Sequence, residues 1–308
     1  MIENLLTVAG QVGILFILIA VGYLCGKTEI LKEKAIKGIT DFVLYVVTPA
    51  AVLQAFMNES RTAEKTVNLL WVCLFTVIAH LIAILLATLF IRTKDKNANR
   101  ILRFAAVFSN CGYMSFPLQK ALLGDIGVFY GSMFVAVFYL FIWSYGIWLC
   151  SGDKKSVSPK KIITNPVIIS VILSLILYLT GLKLPTVLSG AVTHLGNMNT
   201  PLPMVIIGYH LYNAGILKSF TDKRIYLPVI LRLLAAPALL LLFMKVCGVT
   251  GIPLVACTIA ACAPTAAIST MFAHKSGLDA QLSVKVVTVT TLLSIITMPL
   301  FVVLAQTI

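Results

Sequence analysis

Charge is scarce in this chain of 308 residues: Asp, Glu, Lys and Arg make up 11% of it, and only 11 residues are acidic. Soluble domains average about 25% charged residues. Too little polar surface exists to cover a water-facing fold, which excludes the soluble globular class. Seven cysteines, Cys25, Cys73, Cys111, Cys150, Cys247, Cys257 and Cys262, lie in or at the ends of apolar runs without C-x-x-C spacing. Neither a disulfide framework nor a zinc site is expected from them, and they read as small apolar packing residues. The start, M-I-E-N-L-L, lacks the basic stretch of a signal peptide, and its apolar run continues to about Cys25 without a small-residue cleavage site, so it reads as a first membrane helix. G-x-S-x-G, H-E-x-x-H and the phosphate-binding loop are all missing, so no enzyme class, ATP-driven pump, cofactor or metal is expected. The net charge of +13 comes without a long basic cluster, which argues against a nucleic-acid partner.

Apolar sequence is abundant instead: 59% of residues are hydrophobic and the mean hydropathy is +1.00. Runs near the length of a membrane helix fall at about 5–25, 36–57, 67–91, 101–124, 126–150, 162–181, 185–213, 225–247, 252–274 and 282–305. The chain is therefore expected to be an all-α polytopic membrane protein of ten spans, in contact with the lipid bilayer. Lys and Arg set the orientation. The odd-numbered loops carry 18 of the 24, the even-numbered loops carry five, and Arg232 lies inside a span. Cytoplasmic loops hold the basic excess, so both termini are expected to face outward from the plasma membrane.

An offset of 152 residues superimposes landmarks of the two halves: Thr48-Pro49 falls on Thr200-Pro201, His80 on Arg232 and Gly112 on Pro264. Repeats of five spans, 1–150 and 162–308 joined by a cytoplasmic segment 151–161, must be inverted relative to each other, because an odd number of crossings turns the second copy over. The fourth span is interrupted by Ser109-Asn110-Cys111-Gly112-Tyr113-Met114-Ser115-Phe116-Pro117 and the ninth by Ala261-Cys262-Ala263-Pro264-Thr265-Ala266-Ala267. Pro117 removes a backbone donor and opposes a helical Phe116. Backbone groups freed in hydrocarbon cost several kcal/mol each unless protein or cavity water satisfies them. Paired breaks thus predict a polar site at the midplane, where half-helix N-termini favour a carboxylate. A pair of packing kinks is the alternative.

Asn110 followed by Pro117, then Pro264 with Phe272-Ala273 and Gly277-Leu278-Asp279 after it, resembles the auxin efflux carrier family, which includes bacterial permeases as well as plant hormone carriers. The resemblance spans essentially the whole chain. It implies the fold of bile-acid and sodium/proton carriers, with spans 1, 2, 6 and 7 as a scaffold and spans 3–5 and 8–10 as a moving transport unit containing crossed fourth and ninth helices. It also implies that Asn110 contacts substrate, and that Pro117 and Pro264 fix the unwound geometry. The loop between spans 5 and 6 is about ten residues long, which departs from the long hydrophilic loop of the plant proteins.

The candidate substrate site therefore comprises Asn110, Cys111, Gly112, Tyr113, Ser115, Pro117, Pro264 and Thr265, with Thr48, Pro49, Asn199, Thr200 and Pro201 beside the scaffold prolines, where they line the path or satisfy freed carbonyls. Asp41, roughly 8 Å inside its span, is a proton or cation partner or a group wetted at the interface. Arg232 either neutralises an anion or snorkels to the surface, and His80 either relays protons or packs. His194 and His210 are weaker candidates. The expected function is secondary transport of a small organic anion by elevator-type alternating access, with a homodimer through the scaffold as a further expectation. An intramembrane enzyme or a receptor is the competing class.

Overall fold

Long apolar runs leave the backbone no partner but itself, and helix is the structure that pairs every amide within one segment. A computed structural model describes residues 2–307, with the side chains of 2–5, 154, 161 and 162 left out. The expected outward termini, Met1 and Ile308, and the side chains of Lys154 and Lys161 in the expected joint lie outside the described residues. The described residues are helical, without a strand. Six helices are long and apolar enough to cross a membrane: α1 (Ile2–Lys27), α2 (Glu33–Met57), α3 (Ala63–Phe90), α6 (Asp125–Ser151), α10 (Lys223–Val246) and α13 (Ala280–Thr307). The other four apolar runs are short or broken. They comprise α4 (Lys96–Val107) with α5 (Ser115–Leu123), α7 (Pro166–Thr180), α8 (Thr186–Asn197) with α9 (Pro201–Ala214), and α11 (Gly251–Cys262) with α12 (Ile268–Lys275).

Side chains mark the ends. Thr62 caps α3 by accepting from the Lys65 amide, Asp95 caps α4 through Asn97 and Ala98, and Asn165 caps α7 ahead of Pro166. Each satisfies N–H groups that a helix start leaves open. Leu70, Leu74, Leu81, Leu85 and Leu89 of α3, and Ile14, Ile17, Val21 and Leu24 of α1, are exposed apolar residues. Such contiguous apolar surface fits lipid rather than water.

Packing falls into two groups. The most extensive contact runs between α1 and α9, and α7 and α8 pack on the second half of α2. In the other group α6 packs against α3, α5 and α11, while α10 packs on α3 and α11, and α13 on α11 and α12. The α1–α9 seam depends on two glycines. A Cβ at Gly22 would overlap the Val205 carbonyl, and one at Gly208 would overlap the Ile19 carbonyl. Close backbone approach through small residues is how membrane helices gain packing energy without a hydrophobic drive.

Polar contacts gather the helix ends. At one end Arg61 donates to the Leu179 carbonyl at 2.6 Å and Asn58 to the Asp125 carboxylate at 2.9 Å, with Lys120 also paired to Asp125. Elsewhere Asp222, before α10, takes Arg224 at 2.7 Å and Lys285 of α13 at 3.0 Å, while the Arg100 guanidinium lies against Gly152. Hydrogen bonds from Arg224, helped by Lys285, hold the Asp222 carboxyl well below the usual aspartate range.

Two outcomes follow from this packing. Gly208→Ala should destabilise the detergent-solubilised protein by about 1–3 kcal/mol, whereas Gly190→Ala, with nothing near its added Cβ, should leave the melting temperature unchanged or slightly raised. A depressed carboxyl adds stability that is fully present above the ordinary aspartate pKa and disappears as the pH falls through its lowered value. Wild type should therefore melt above Asp222→Asn at neutral pH, and the gap should close on acidification.

Candidate functional site

Two helices stop short of crossing the protein and meet end to end. The α4 helix finishes at Val107 and the chain runs unwound to Met114 before α5, while α11 finishes at Cys262 and unwinds to Ala267 before α12. The unwound strips pass antiparallel, with Ser109 opposite Thr265. The Asn110 amide donates to the Pro264 carbonyl at 2.7 Å and the Ala266 amide to the Phe108 carbonyl at 2.9 Å. These two bonds are exchanged by swapping residues 156 apart. The 152-residue offset of the sequence landmarks therefore slips by four at the crossing, and most of the slip lies ahead of the unwound segments, since α4 and α11 already start at Lys96 and Gly251.

Pro117 does not form the break. It sits in the first turn of α5, with a helical Phe116 before it. A proline is tolerated there because first-turn amides have no helical acceptor. Pro264 does lie in the unwound strip, where its carbonyl takes the Asn110 amide.

The carbonyls freed where α4 ends, and that of Ala261 at the end of α11, are satisfied. Thr265 donates its hydroxyl to the Ala105 carbonyl at 2.8 Å. Arg232, 3% exposed, donates to the carbonyls of Val107 at 2.9 Å and Ala106 at 3.5 Å and to that of Ala261. The amide side differs. Among the described residues no acceptor meets the N–H groups of Ala267 and Ile268 at the start of α12, nor those of Cys111 and Gly112.

These open amides face a cleft of about 30 Å³. Thr48, Asn110, Cys111, Gly112 and Tyr113 of the expected site all line it. Asn110 is 5% exposed, and its side-chain amide has no protein partner among the described residues. Phe138 and Tyr139 of α6 and Ala266–Ile268 complete the wall. Sequence reasoning placed Ala266 and Ala267 in the broken ninth span but missed Phe138 and Tyr139, because an aromatic pair on an apolar helix carries the same pattern as core. Among the described residues no carboxylate lines the cleft.

Asn199 and Thr200 line a second cleft, with Gln54, Asn197, Lys120 and Asp125. Thr48 donates to the Asn199 side-chain oxygen at 3.0 Å, so one hydrogen bond stands between the two clefts. Ser115 and Thr265 are fully buried outside the first cleft's lining; Pro49 and Pro201 start helical turns. Asp41 is exposed on α2 and borders neither cleft. His80 and Arg232 share a third, smaller cleft. The His80 Nδ1 lies 2.8 Å from the Thr76 carbonyl, so that nitrogen carries the proton, and the ring stacks on Phe141 at 4.7 Å.

The sequence profile of the membrane transport protein family matches residues 7–302. The chain belongs to that family of membrane transport proteins. The resemblance to the auxin efflux carriers is thereby borne out. A transporter of Methanocaldococcus jannaschii, described as uncharacterized, is 23% identical over 94% of the chain and 96% of its own length. Another described in the same words, from Methanothermobacter thermautotrophicus, is 22% identical over 92% of the chain and 94% of its own length. Family and relatives alike are transporters rather than enzymes, and the protein is a multi-pass membrane transporter.

Thr48→Val would leave the buried Asn199 oxygen without its donor, at a cost of about 1–3 kcal/mol. Thermal melts should show that loss for Thr48→Val and near-wild-type behaviour for Thr48→Ser, which keeps the hydroxyl.

Proposed function

We propose that the protein is a secondary transporter of a small organic anion, most readily a carboxylate. The observation that carries this is the imbalance at the crossing. Open amides of Cys111, Gly112, Ala267 and Ile268 and the unpartnered Asn110 side chain converge on a cleft that no carboxylate lines among the described residues, while the carbonyls of Ala105, Val107 and Ala261 are already bound. Such a site offers hydrogen-bond donors and partial positive charge. Anions fit it and cations do not.

Movement is read as an elevator. The scaffold is α1, α2 and α7–α9, and the moving unit is α3–α6 with α10–α13; the repeats are inverted and the chain crosses the plasma membrane ten times with both termini outward. Thr48 is the scaffold's contribution to the cleft. A cleft of about 30 Å³ holds no more than water, so binding requires the moving unit to separate from Thr48. Coupling to protons or to voltage fits better than coupling to sodium, because a sodium ion at the crossing would have no neighbouring carboxylate to offset its charge. Asp41 is then the candidate proton carrier.

Purified protein in proteoliposomes, screened against mono- and dicarboxylates under separate pH, sodium and voltage gradients, should show saturable carboxylate uptake that sodium alone does not drive. Asn110→Ala should bind about tenfold more weakly or worse, since a hydrogen bond to a charged group is worth about 1.5–3 kcal/mol, while melting like wild type. Binding confined to cations or neutral solutes would overturn the reading.

A further inference from the structure

Arg232 stands apart from the substrate cleft. Its side chain is buried, lines the third cleft with His80 and Ser109, and spends both terminal nitrogens on backbone carbonyls. It does not snorkel. Those carbonyls belong to the last turns of two different helices, Ala106 and Val107 on α4 and Ala261 on α11. Each helix C-terminus carries roughly half a negative charge. Two of them together match one guanidinium, which stays protonated when buried.

We propose that Arg232 is the resident cation of the crossing. Its planar fork ties the C-terminal ends of α4 and α11 together and thereby holds the open amides of Ala267, Ile268, Cys111 and Gly112 in register around the cleft. It is a positioning residue. It neutralises the protein's own helix ends rather than the transported solute. A π-helical turn at Leu231–Ala235 carries it, and such a turn redirects side chains relative to the regular α-helix on either side. Lysine is not equivalent, because one ammonium cannot present the parallel donors that reach both helix ends. Removing the side chain leaves a cavity walled by unpaired carbonyls and shaped for a free guanidinium ion.

The test needs no transported solute, so it fails or succeeds independently of the anion reading. Thermal melts of wild type, Arg232→Ala and Arg232→Lys are recorded in detergent with millimolar guanidinium chloride, against sodium chloride at equal ionic strength. Arg232→Ala should melt roughly 5–10 °C below wild type, recover saturably with guanidinium but not with sodium, and Arg232→Lys should fall between. Wild type should gain nothing. If Arg232→Ala folds only when purified with guanidinium, that dependence is the expected result in stronger form. Equal stability of all three proteins, or no difference between guanidinium and sodium for Arg232→Ala, would overturn the assignment.

Discussion

A peptide group left unpaired in hydrocarbon costs several kcal/mol, and this protein leaves two helices unfinished in its interior. Everything around the crossing answers that cost. The antiparallel pairing of Ser109 with Thr265 satisfies backbone groups of both strips. The Thr265 hydroxyl and the Arg232 guanidinium take carbonyls that α4 and α11 leave free, and the Thr290 hydroxyl accepts the Thr265 amide at 3.2 Å. The buried Ser115 hydroxyl and Arg232 Nε lack partners among the described residues, and so do four backbone amides, those of Cys111, Gly112, Ala267 and Ile268. Buried donors without acceptors are rare in native structures, and here the four amides open on a cleft rather than on packed side chains.

The two packing groups differ in how they touch. Within the first, Gly22 and Gly208 bring α1 and α9 into backbone contact, a seam that tolerates no sliding without overlap. Between the groups the contacts are made by side chains, both aromatic and polar: Phe129 of α6 packs on Phe56 of α2 at 4.6 Å and on Tyr178 of α7 at 5.1 Å between ring centroids. Asn58 reaches Asp125, and Thr48 stands across from Asn110 and Gly112 on the cleft wall. Interfaces built from a few hydrogen bonds can be exchanged for water at small net cost, whereas interdigitated backbones cannot. In the proposed elevator, the side-chain contacts between the groups, hydrogen bonds and aromatic packing alike, are the ones that must break in each cycle.

Hydropathy made the membrane class and the long helices legible, because lipid enforces run length and composition directly. Glycine and proline marked the broken runs, since those residues are costly inside a helix. The finer geometry was not legible. Pro117 looked like the break but starts the next half-helix. The symmetry offset slipped by four residues at the crossing, because loop length is not fixed by hydropathy. Arg232 could be read as a surface snorkel because its carbonyl partners lie 29 and 125 residues away, and no local pattern reports contacts at that separation. Phe138 and Tyr139 were invisible as cleft residues for a related reason: burial against a cleft and burial against a core select the same side chains.

Charge at the crossing links these levels. A fixed guanidinium set against two helix C-termini is compensated locally by the approximate half-charge of each terminus, but helix dipoles carry no net charge, so the crossing keeps the arginine's positive charge. In the proposed cycle the empty unit then crosses the field of the membrane with the one positive charge of Arg232, and a monovalent anion brings the loaded unit close to neutral. A moving charge of one unit exchanges about 2.3 kcal/mol with each 100 mV of membrane potential. A resident arginine therefore shapes the energetics of transport without touching the solute. It frees the crossing from recruiting an inorganic cation to neutralise its carbonyls, and it adds one fixed positive charge to whatever the moving unit carries through the field.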